Sequence, residues 1–476
     1  MSDDRSRRAP GRRVASRSAR SRATSRSLAL PATLALPVLA ALVVLATQLA
    51  GPAEPATTPP RQVALDRATV ACPTVGGTVA AGQVAAGRSA SASSLPRREP
   101  VRDLQRPDRW RTARVGGEAV VLDQTGRGSG AVGFASGAAP RSQGAGLVVG
   151  SCPEAGNGGW ILGAGSGGRH QTRLVLTNLA DTPAVVDVRL WGPSGRVDAV
   201  NATGVVVEPR DVRTIALADL AAGEPRLSAQ VVRRRGALSV QAVDGSTGAQ
   251  AGTEVVRSSL SPRRDQVVGP VPAGRTGRTL TVVNPTDSVA RVEIDALGKD
   301  GRFTPRGLED VRVRPNRMLD VDLPTTVGSD AVALRVRSST DVAASVRTAP
   351  GGADFATSSA STPLRGPAVV PIGLDVRRVP TLVLANTGDR GARATVTAYD
   401  GAMKRLGSTS VRVPVGSTVD ARIRRELPVD RAAYLVVRTT GDLVGSAVYA
   451  DGDRVAVLGL RPAPVTAAGP RVRPAG

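Results

Sequence analysis

Hydrophobic and polar residues alternate strictly in three segments of the chain that lie about 100 residues apart. In each segment apolar residues occupy every second position, and polar residues stand between them. The apolar positions are Val186, Val188 and Leu190, then Val292, Ile294 and Ala296, then Ala394, Val396 and Ala398. A period of two predicts a β-strand with one buried face, because successive side chains of a strand point to opposite sides of the sheet.

Each alternating segment begins eight residues after an asparagine that ends a short apolar run. The runs are Arg173–Asn178, Thr279–Asn284 and Thr381–Asn386, and their asparagines are 106 and 102 residues apart. This period predicts tandem copies of one domain. Asparagine ends strands well because its side chain bonds the nearby backbone, so we interpret these residues as turn residues rather than as a repeated ligand site.

Turn signals divide each copy into six or seven short strands. A Gly-containing turn follows each alternating segment, and each copy closes with two apolar runs that we interpret as a hairpin, as in Leu227–Arg233 and Ala237–Val243. This pattern is typical of an immunoglobulin-like β-sandwich. The sequence therefore predicts an all-β protein with repeats at residues 159–262, 263–366 and 367–462.

A separate β-rich unit is predicted at residues 63–158, in front of the repeats. Strand-like runs cover Glu118–Leu122 and Gly146–Val149, and residues 86–98 are expected to form a loop.

The N-terminal residues predict the topology of the chain in a membrane. Residues 28–50 are uncharged and apolar, and a run of this length can cross a bilayer as a helix. The Arg-rich residues 1–27 precede it, so the positive-inside rule predicts a cytoplasmic tail, a single-pass type II protein of the cell membrane and an extracytoplasmic bulk. A cleaved signal peptide and a secreted protein are the alternative. Residues 51–62 predict a linker, and residues 463–476 a disordered tail.

The chain contains two cysteines, Cys72 and Cys152. An even pair in an extracytoplasmic chain predicts one disulfide, and two buried free thiols are the alternative.

The formal net charge is +23, from 63 basic and 40 acidic residues. Among the basic residues only Lys299 and Lys404 are lysines, and the others are arginines. Two interpretations stay open. The arginines can form an ordinary solvated surface, or they can attract anionic envelope polymers and lipid head groups. For the basic tail, a topology-setting role is favoured over binding to nucleic acid.

The sequence offers little catalytic chemistry. Residues 163–168 match Gly-x-Gly-x-x-Gly, but the segment that follows predicts a strand, so we expect a loop between strands and no nucleotide site. His170 is the only histidine, and no nucleophile motif lies near it. We therefore predict that the protein is not an enzyme and has no cofactor and no metal site.

One position of the repeat is a candidate contact face. Thirteen residues after the asparagines stand Trp191, Leu297 and Tyr399, on the polar side of their strands. Such residues can stack on a sugar, as aromatic residues on exposed sandwich faces do. The alternative is that they pack against a neighbouring domain.

The arrangement resembles a family of uncharacterised actinobacterial envelope proteins that are membrane-anchored or secreted and rich in β-structure. The resemblance rests on Cys152-Pro153 ahead of Trp160, on the Leu-x-Leu-x-Asn run that ends at Asn178, and on Val186–Gly195. It covers most of residues 63–462, and it implies no established activity or site residues.

These observations predict a non-enzymatic extracytoplasmic scaffold, spacer or adhesion-type protein of the cell envelope. Its expected partners are envelope polymers or membrane proteins, with no nucleic acid. The alternatives are a protein that binds cell-wall carbohydrate, and an accessory subunit of an envelope glycosyltransferase or transporter. The identity of the partner and the oligomeric state stay open.

Overall fold

The structure, a computed structural model, describes residues 62–73, 76–83, 89–105, 109–126, 130–138, 146–248, 251–273, 277–327, 330–349, 354–374, 379–463 and 465–468. This part of the chain is all-β and consists of antiparallel sheets. The predicted tail at 1–27, the apolar segment at 28–50 and the linker except Gln62 lie outside the described residues. Within the described residues, no helix combines the length and apolar character that a membrane span requires.

The strands form four groups, which we name the N-terminal unit and the first, second and third repeats after the predicted segments. The N-terminal unit contains β1 (Gln62–Ala64), β2 (Arg67–Cys72), β3 (Gly77–Gln83), β4 (Ser89–Leu95), a 3-10 turn (Arg102–Leu104), β5 (Arg111–Val115), β6 (Ala119–Thr125), β7 (Ala131–Ala138) and β8 (Leu147–Ser151). The predicted loop at residues 86–98 is therefore wrong where β4 lies, because the small residues of β4 pair along β6.

The first repeat has the most elements. They are β9 (Gly158–Ala164), β10 (Ser166–Gly167), β11 (His170–Asn178), β12 (Ala184–Gly192), β13 (Gly195–Val197), β14 (Val205–Val207), β15 (Val212–Ala216), helix α1 (Leu217–Leu220), β16 (Leu227–Arg235), β17 (Leu238–Ser246) and β18 (Gly252–Arg257).

The second and third repeats follow the same plan. The second contains β19 (Arg263–Val271), β20 (Arg278–Asn284), β21 (Ala290–Gly298), β22 (Gly301–Phe303), β23 (Val311–Val313), β24 (Arg317–Asp322), a 3-10 turn (Thr325–Val327), β25 (Val332–Thr348) and β26 (Ala356–Ser361). The third contains β27 (Ala368–Pro371), β28 (Thr381–Asn386), β29 (Ala392–Tyr399), β30 (Arg405–Val413), β31 (Thr418–Ala421), helix α2 (Ile423–Glu426), a 3-10 turn (Val429–Arg431), β32 (Tyr434–Thr440), β33 (Leu443–Asp451) and β34 (Arg454–Gly459). The last strand, β35, is Thr466–Ala468.

Equivalent strands of the three repeats pair in the same way. In the first repeat, β11 lies between β15 and β17, with β18 beyond β17, and β16 lies between β12 and β9. The third repeat repeats this order with β31, β28, β33 and β34 in one sheet and β29, β32 and β27 in the other. In the second repeat the long strand β25 serves both sheets, because its first half pairs with β21 and its second half with β20.

The predicted closing hairpin is wrong, although its strands are present. β16 and β17 follow each other in the chain but belong to different sheets. The chain crosses between the sheets at Gly236, which has a φ of 75° that favours glycine. Because both strands direct aliphatic side chains into one core from opposite sides, the crossing buries both sets.

The alternating segments supply the cores of the repeats. Their nine apolar positions are at most 3% exposed, so the strands predicted from the period of two are confirmed. Full burial of a valine or leucine side chain stabilises a fold by about 1.5–3 kcal/mol, which makes these positions a main source of stability. The boundaries of the predicted repeats stay a prediction.

The three asparagines hold equivalent turns. The Oδ1 atom of Asn284 accepts the backbone N–H of Thr286 at 3.1 Å, and its Nδ2 atom donates to the carbonyl of Ser288 at 2.7 Å and to the last carbonyl of β23 at 3.1 Å. Asn178 and Asn386 make the same set of bonds. All three side chains are fully buried, so they serve the turn and are not open to a ligand.

The two ends of the described chain pair with each other. β1 and β35 form an antiparallel two-stranded sheet in which Gln62 lies opposite Ala468. The predicted disordered tail at residues 463–476 is therefore wrong at Thr466–Ala468, because the backbone groups of this segment bond to β1. This pairing brings residues that are more than 400 positions apart in the chain side by side, since Gln62 lies opposite Ala468.

Candidate functional site

Trp191 and Leu297 do not form an open contact face, because they are only 3% and 2% exposed. The Trp191 ring lies 4.8 Å from the Trp160 ring, and the pair packs against Met318 of the second repeat. Leu297 packs in the same way against Ala385 of the third repeat. These two residues therefore pack against a neighbouring repeat, as the alternative interpretation of the sequence expected.

Tyr399, at the same position of the third repeat, is half-buried. It stacks on Tyr434 with ring centroids 5.2 Å apart, and Tyr434 stacks on Trp110 of the N-terminal unit at 4.7 Å. The third repeat therefore uses this position to contact the N-terminal unit.

The N-terminal unit also contacts the first repeat. Val148 of β8 packs against Val175 of β11 and Val255 of β18 in one apolar cluster. The contacts thus run from the N-terminal unit through the three repeats and back to the N-terminal unit, and they close a cycle.

One carboxylate joins all four members of this cycle. The Oδ2 atom of Asp354 accepts the backbone N–H groups of Leu147 at 2.8 Å and Val455 at 3.0 Å, and Oδ1 accepts that of Phe355 at 2.9 Å. A Cβ atom on Gly252 would lie 2.4 Å from Oδ1, so the first repeat also approaches this side chain closely. The strands β8, β18, β26 and β34 therefore begin around Asp354, and we call their meeting place the axis.

Burial strongly perturbs two acids at the axis. It raises the pKa of Asp354 to about 6 and that of Glu254 in β18 to about 8. Glu254 accepts hydrogen bonds from the backbone and side chain of Thr357, which lower its pKa, and the charge of Asp354 raises it further. Its Oε2 atom has no hydrogen-bond partner among the described residues. Glu254 is therefore mostly protonated at neutral pH.

His170 belongs to a partly buried network between the first and second repeats, whose carboxylate, Asp244, is fully buried. Its Nε2 atom lies 2.9 Å from Oδ1 of Asp244, and Nη1 of Arg347 lies 2.8 Å from the other carboxylate oxygen. Burial opposes ionisation of Asp244, but its bonds to His170 and Arg347 hold its pKa below the usual value. The Nδ1 atom of His170 lies 3.2 Å from the carbonyl oxygen of Pro225. Both ring nitrogens thus have partners, so His170 serves as a bridge and has no free nitrogen for a general base.

Cys72 and Cys152 form the predicted disulfide. The bond joins the end of β2 to the residue after β8, where the chain leaves the N-terminal unit. The predicted loop at the Gly-x-Gly-x-x-Gly match, residues 163–168, is wrong for most of its length. Gly163 belongs to the end of β9 and Gly167 to β10, which pairs with β11, and only Gly165 and Gly168 lie outside strands. In the described part of the chain, no group of three or more His, Cys, Asp and Glu side chains is placed to hold a metal ion.

The third repeat has an exposed surface that the first two repeats lack. Arg393, Arg412 and Arg438 lie exposed on the three adjacent strands β29, β30 and β32. Arg393 lies directly opposite Arg412, and Arg438 lies opposite Thr395, so all three point to the same side of the sheet. We call these three arginines, with the Ser and Thr residues between them, the basic face.

Acidic residues neutralise the same side of the sheet in the other repeats. In the first repeat Asp187 pairs with Arg234 at 2.6 Å, and in the second Glu293 and Asp295 both pair with Arg337. The third repeat has Thr395 and Thr397 at the positions of those acids. Among the described residues, no acidic side chain forms an ion pair with an arginine of the basic face, so its charge is uncompensated.

Sequence reasoning missed the basic face and the axis. The replacement of acids by threonines in the third copy was the available signal for the basic face. No comparable signal in the sequence indicated that Glu254 is buried. It lies in the run Thr253–Arg257, whose pattern is that of an ordinary strand.

Residues 111–424 match the model of a family described as a family of unknown function, DUF5719. No curated protein matches the chain. The match covers most of the strands that build the cycle, whereas the actinobacterial source and the membrane anchor stay predictions.

Proposed function

We propose that this chain, which belongs to the DUF5719 family of unknown function, is a non-enzymatic extracytoplasmic scaffold that adheres to anionic polymers of the cell envelope. The observation that carries the proposal is the basic face of Arg393, Arg412 and Arg438. Adjacent strands lie about 4.8 Å apart, so these charges fall within the Debye length of about 8 Å and reinforce one another. A polyanion laid across the sheet would relieve their mutual repulsion and accept hydrogen bonds from each guanidinium.

The closed cycle favours a compact scaffold over an extended spacer. Apolar contacts link each member to the next, and the β1–β35 pair holds the end of the described chain beside its beginning. We propose that the segment at 28–50, which precedes β1 in the sequence, anchors this body at the membrane. The disulfide supports an extracytoplasmic location, because such bonds persist in oxidising compartments. We keep the immunoglobulin-like description of the repeats as part of this proposal.

The alternative of carbohydrate binding loses its specific support. Its candidate residues were the ones at the shared position of the repeats, and Trp191 and Leu297 are buried against the next repeat. Tyr399 is engaged in a stack with Tyr434.

Binding of the full-length chain to beads that carry polyphosphate, compared with neutral dextran beads, tests the proposal. We expect retention on polyphosphate that weakens with salt. The affinity should fall by about tenfold when Arg393, Arg412 and Arg438 are all changed to glutamine, since each exposed charged contact contributes about 0.5 kcal/mol. The matched control changes three exposed arginines elsewhere, Arg173, Arg306 and Arg314, to glutamine.

The control removes the same net charge, so it separates the basic face from the overall charge. Equal losses for both triple variants would reduce the effect to non-specific attraction and contradict the proposed face. Equal retention on dextran and polyphosphate would contradict the preference for anionic polymers.

A further inference from the structure

Further along the axis from Asp354, toward the ends of β8, β18, β26 and β34, lies a small cavity, and all four members of the cycle contribute to its wall. Its volume is about 50 Å³, and its lining includes Ser151 of β8, Arg257 of β18, Ser359 of β26 and Leu458 of β34. A single water molecule needs about 10–15 Å³ by the same measure, so there is room for an ion of a few heavy atoms.

Two arginines face this cavity and a second one beside it. Arg257 and Arg461 line both, and the second cavity has a volume of about 60 Å³. Burial lowers the pKa of both guanidinium groups, and the charge of Arg461 lowers that of Arg257 further, so the two cations lie close enough to repel each other. Glu154 lies at the wall of the second cavity, and its negative charge raises the pKa of Arg257. This one carboxylate can balance only one of the two positive charges.

Donor groups around the cavity lack acceptors. The Nε atom of Arg257 and the Oγ atom of Ser151 are buried, and neither has a hydrogen-bond partner among the described residues. A buried donor without a partner destabilises the fold, and a charged one does so more strongly. An excess of buried positive charge together with unpartnered donors points to a ligand that is an anion and an acceptor.

We propose that the cavity at the axis binds a small oxyanion of the size of inorganic phosphate, held by Arg257, Arg461 and Ser151. The guanidinium fork of arginine matches two oxygens of such an anion, and the serine hydroxyl supplies a third donor. Because Arg461 also donates to the carbonyl of Ser258 at 3.0 Å, the anion would join the C-terminal end of the cycle to the first repeat. This site is separate from the basic face and does not depend on the proposed function.

Thermal unfolding of the full-length chain in increasing inorganic phosphate, at an ionic strength kept constant with sodium chloride, tests the proposal. We expect the unfolding midpoint to rise and saturate, since a ligand of the folded state stabilises it by mass action. Arg257→Gln should weaken the apparent affinity by about tenfold or more, because it removes a charged donor. Arg454→Gln removes one arginine from β34 that does not line the cavity, and it should leave the affinity unchanged.

Two further variants keep the test decisive if Arg257→Gln fails to fold. Ser151→Ala removes only a hydroxyl and should weaken binding several-fold, whereas the triple glutamine variant of the basic face should bind phosphate as the wild type does. A wild-type midpoint that does not saturate, or an affinity unchanged in Ser151→Ala, would overturn the site. Loss of the phosphate effect in the basic-face variant would move the anion to the surface and overturn it as well.

Discussion

Glu254 is the side chain in which burial and charge conflict most directly. It is 2% exposed, and burial raises its pKa to about 8, whereas glutamate in an unfolded chain titrates near 4.3. Since the folded pKa is the higher one, the stability that the protonated group contributes is fully present below the unfolded pKa. That stability is lost as the pH rises through the folded pKa. The glutamate ionises freely in the unfolded chain, whereas the folded state must keep the proton or bury a charge.

We expect the free energy of unfolding of the wild type to fall by roughly 2 kcal/mol from this group between about pH 6.5 and about pH 8.5. This window lies above the pKa of about 6 for Asp354, so that neighbour contributes little to the change. Glu254→Gln keeps the shape of the side chain without its proton equilibrium and should flatten the decrease in urea unfolding curves. Glu208→Gln, at an exposed position, is the control and should keep the wild-type slope. A slope that Glu254→Gln leaves intact would show that the decrease has another source.

At the residue scale, the sequence could predict what a side chain does within its own turn. Asn178, Asn284 and Asn386 were interpreted correctly as turn residues because two of the partners of each lie two and four residues further along the chain. Trp191 and Leu297 could not be assigned in the same way. Alternation shows on which side of a strand a residue lies, but not whether water or another repeat covers that side.

At the scale of strands and sheets, the period of two located the strands but not their partners. β16 and β17 read as a hairpin because they are adjacent in sequence, yet each pairs with an earlier strand of its own sheet. A short connection permits either arrangement, and burial of both apolar faces in one core decides between them. The long strand β25 is the clearest case, because one continuous element serves two sheets.

Leu297→Ala tests whether the sheets of neighbouring repeats stabilise each other. Truncation of a buried leucine costs about 2–5 kcal/mol, and here part of the lost contact lies in the third repeat. We therefore expect faster amide hydrogen exchange both in β21, which carries Leu297, and in β28 and β33, which carry Ala385 and Val444. Val289→Ala, at a position that is 49% exposed, is the control and should change neither region. Faster exchange confined to the second repeat would contradict a contact that stabilises both.

At the scale of the whole described chain, closure is the feature that the sequence could not show. A period of about 100 residues predicts tandem copies but is equally compatible with a rod and with a closed cycle. The decisive contacts join the N-terminal unit to the third repeat, through Trp110 and Tyr434 and through the β1–β35 pair. Neither partner of these contacts carries a pattern that points to the other.

Trp110→Ala tests closure. Trp110 is 7% exposed, and its backbone N–H also donates to the carbonyl of Gly401 at 3.0 Å, so the residue contacts the third repeat through both ring and backbone. Removal of a buried tryptophan ring costs about 3–5 kcal/mol. We expect faster amide exchange in β29 and β32, which hold Tyr399 and Tyr434, about 300 positions further along the chain.

Unchanged exchange in β29 and β32 would contradict closure, because only a direct contact between the N-terminal unit and the third repeat could transmit the change. In an open row of domains Trp110 would have no partner in the third repeat, and its loss would be felt only within the N-terminal unit. Phe303→Ala removes an aromatic ring that is 41% exposed in the second repeat and should leave exchange in β29 and β32 as it is in the wild type. Removal of residues 464–476 deletes β35, whose pairing with β1 also holds the two ends of the described chain together. Combined with Trp110→Ala, this truncation should increase amide exchange in β29 and β32 further, because both contacts support closure of the cycle.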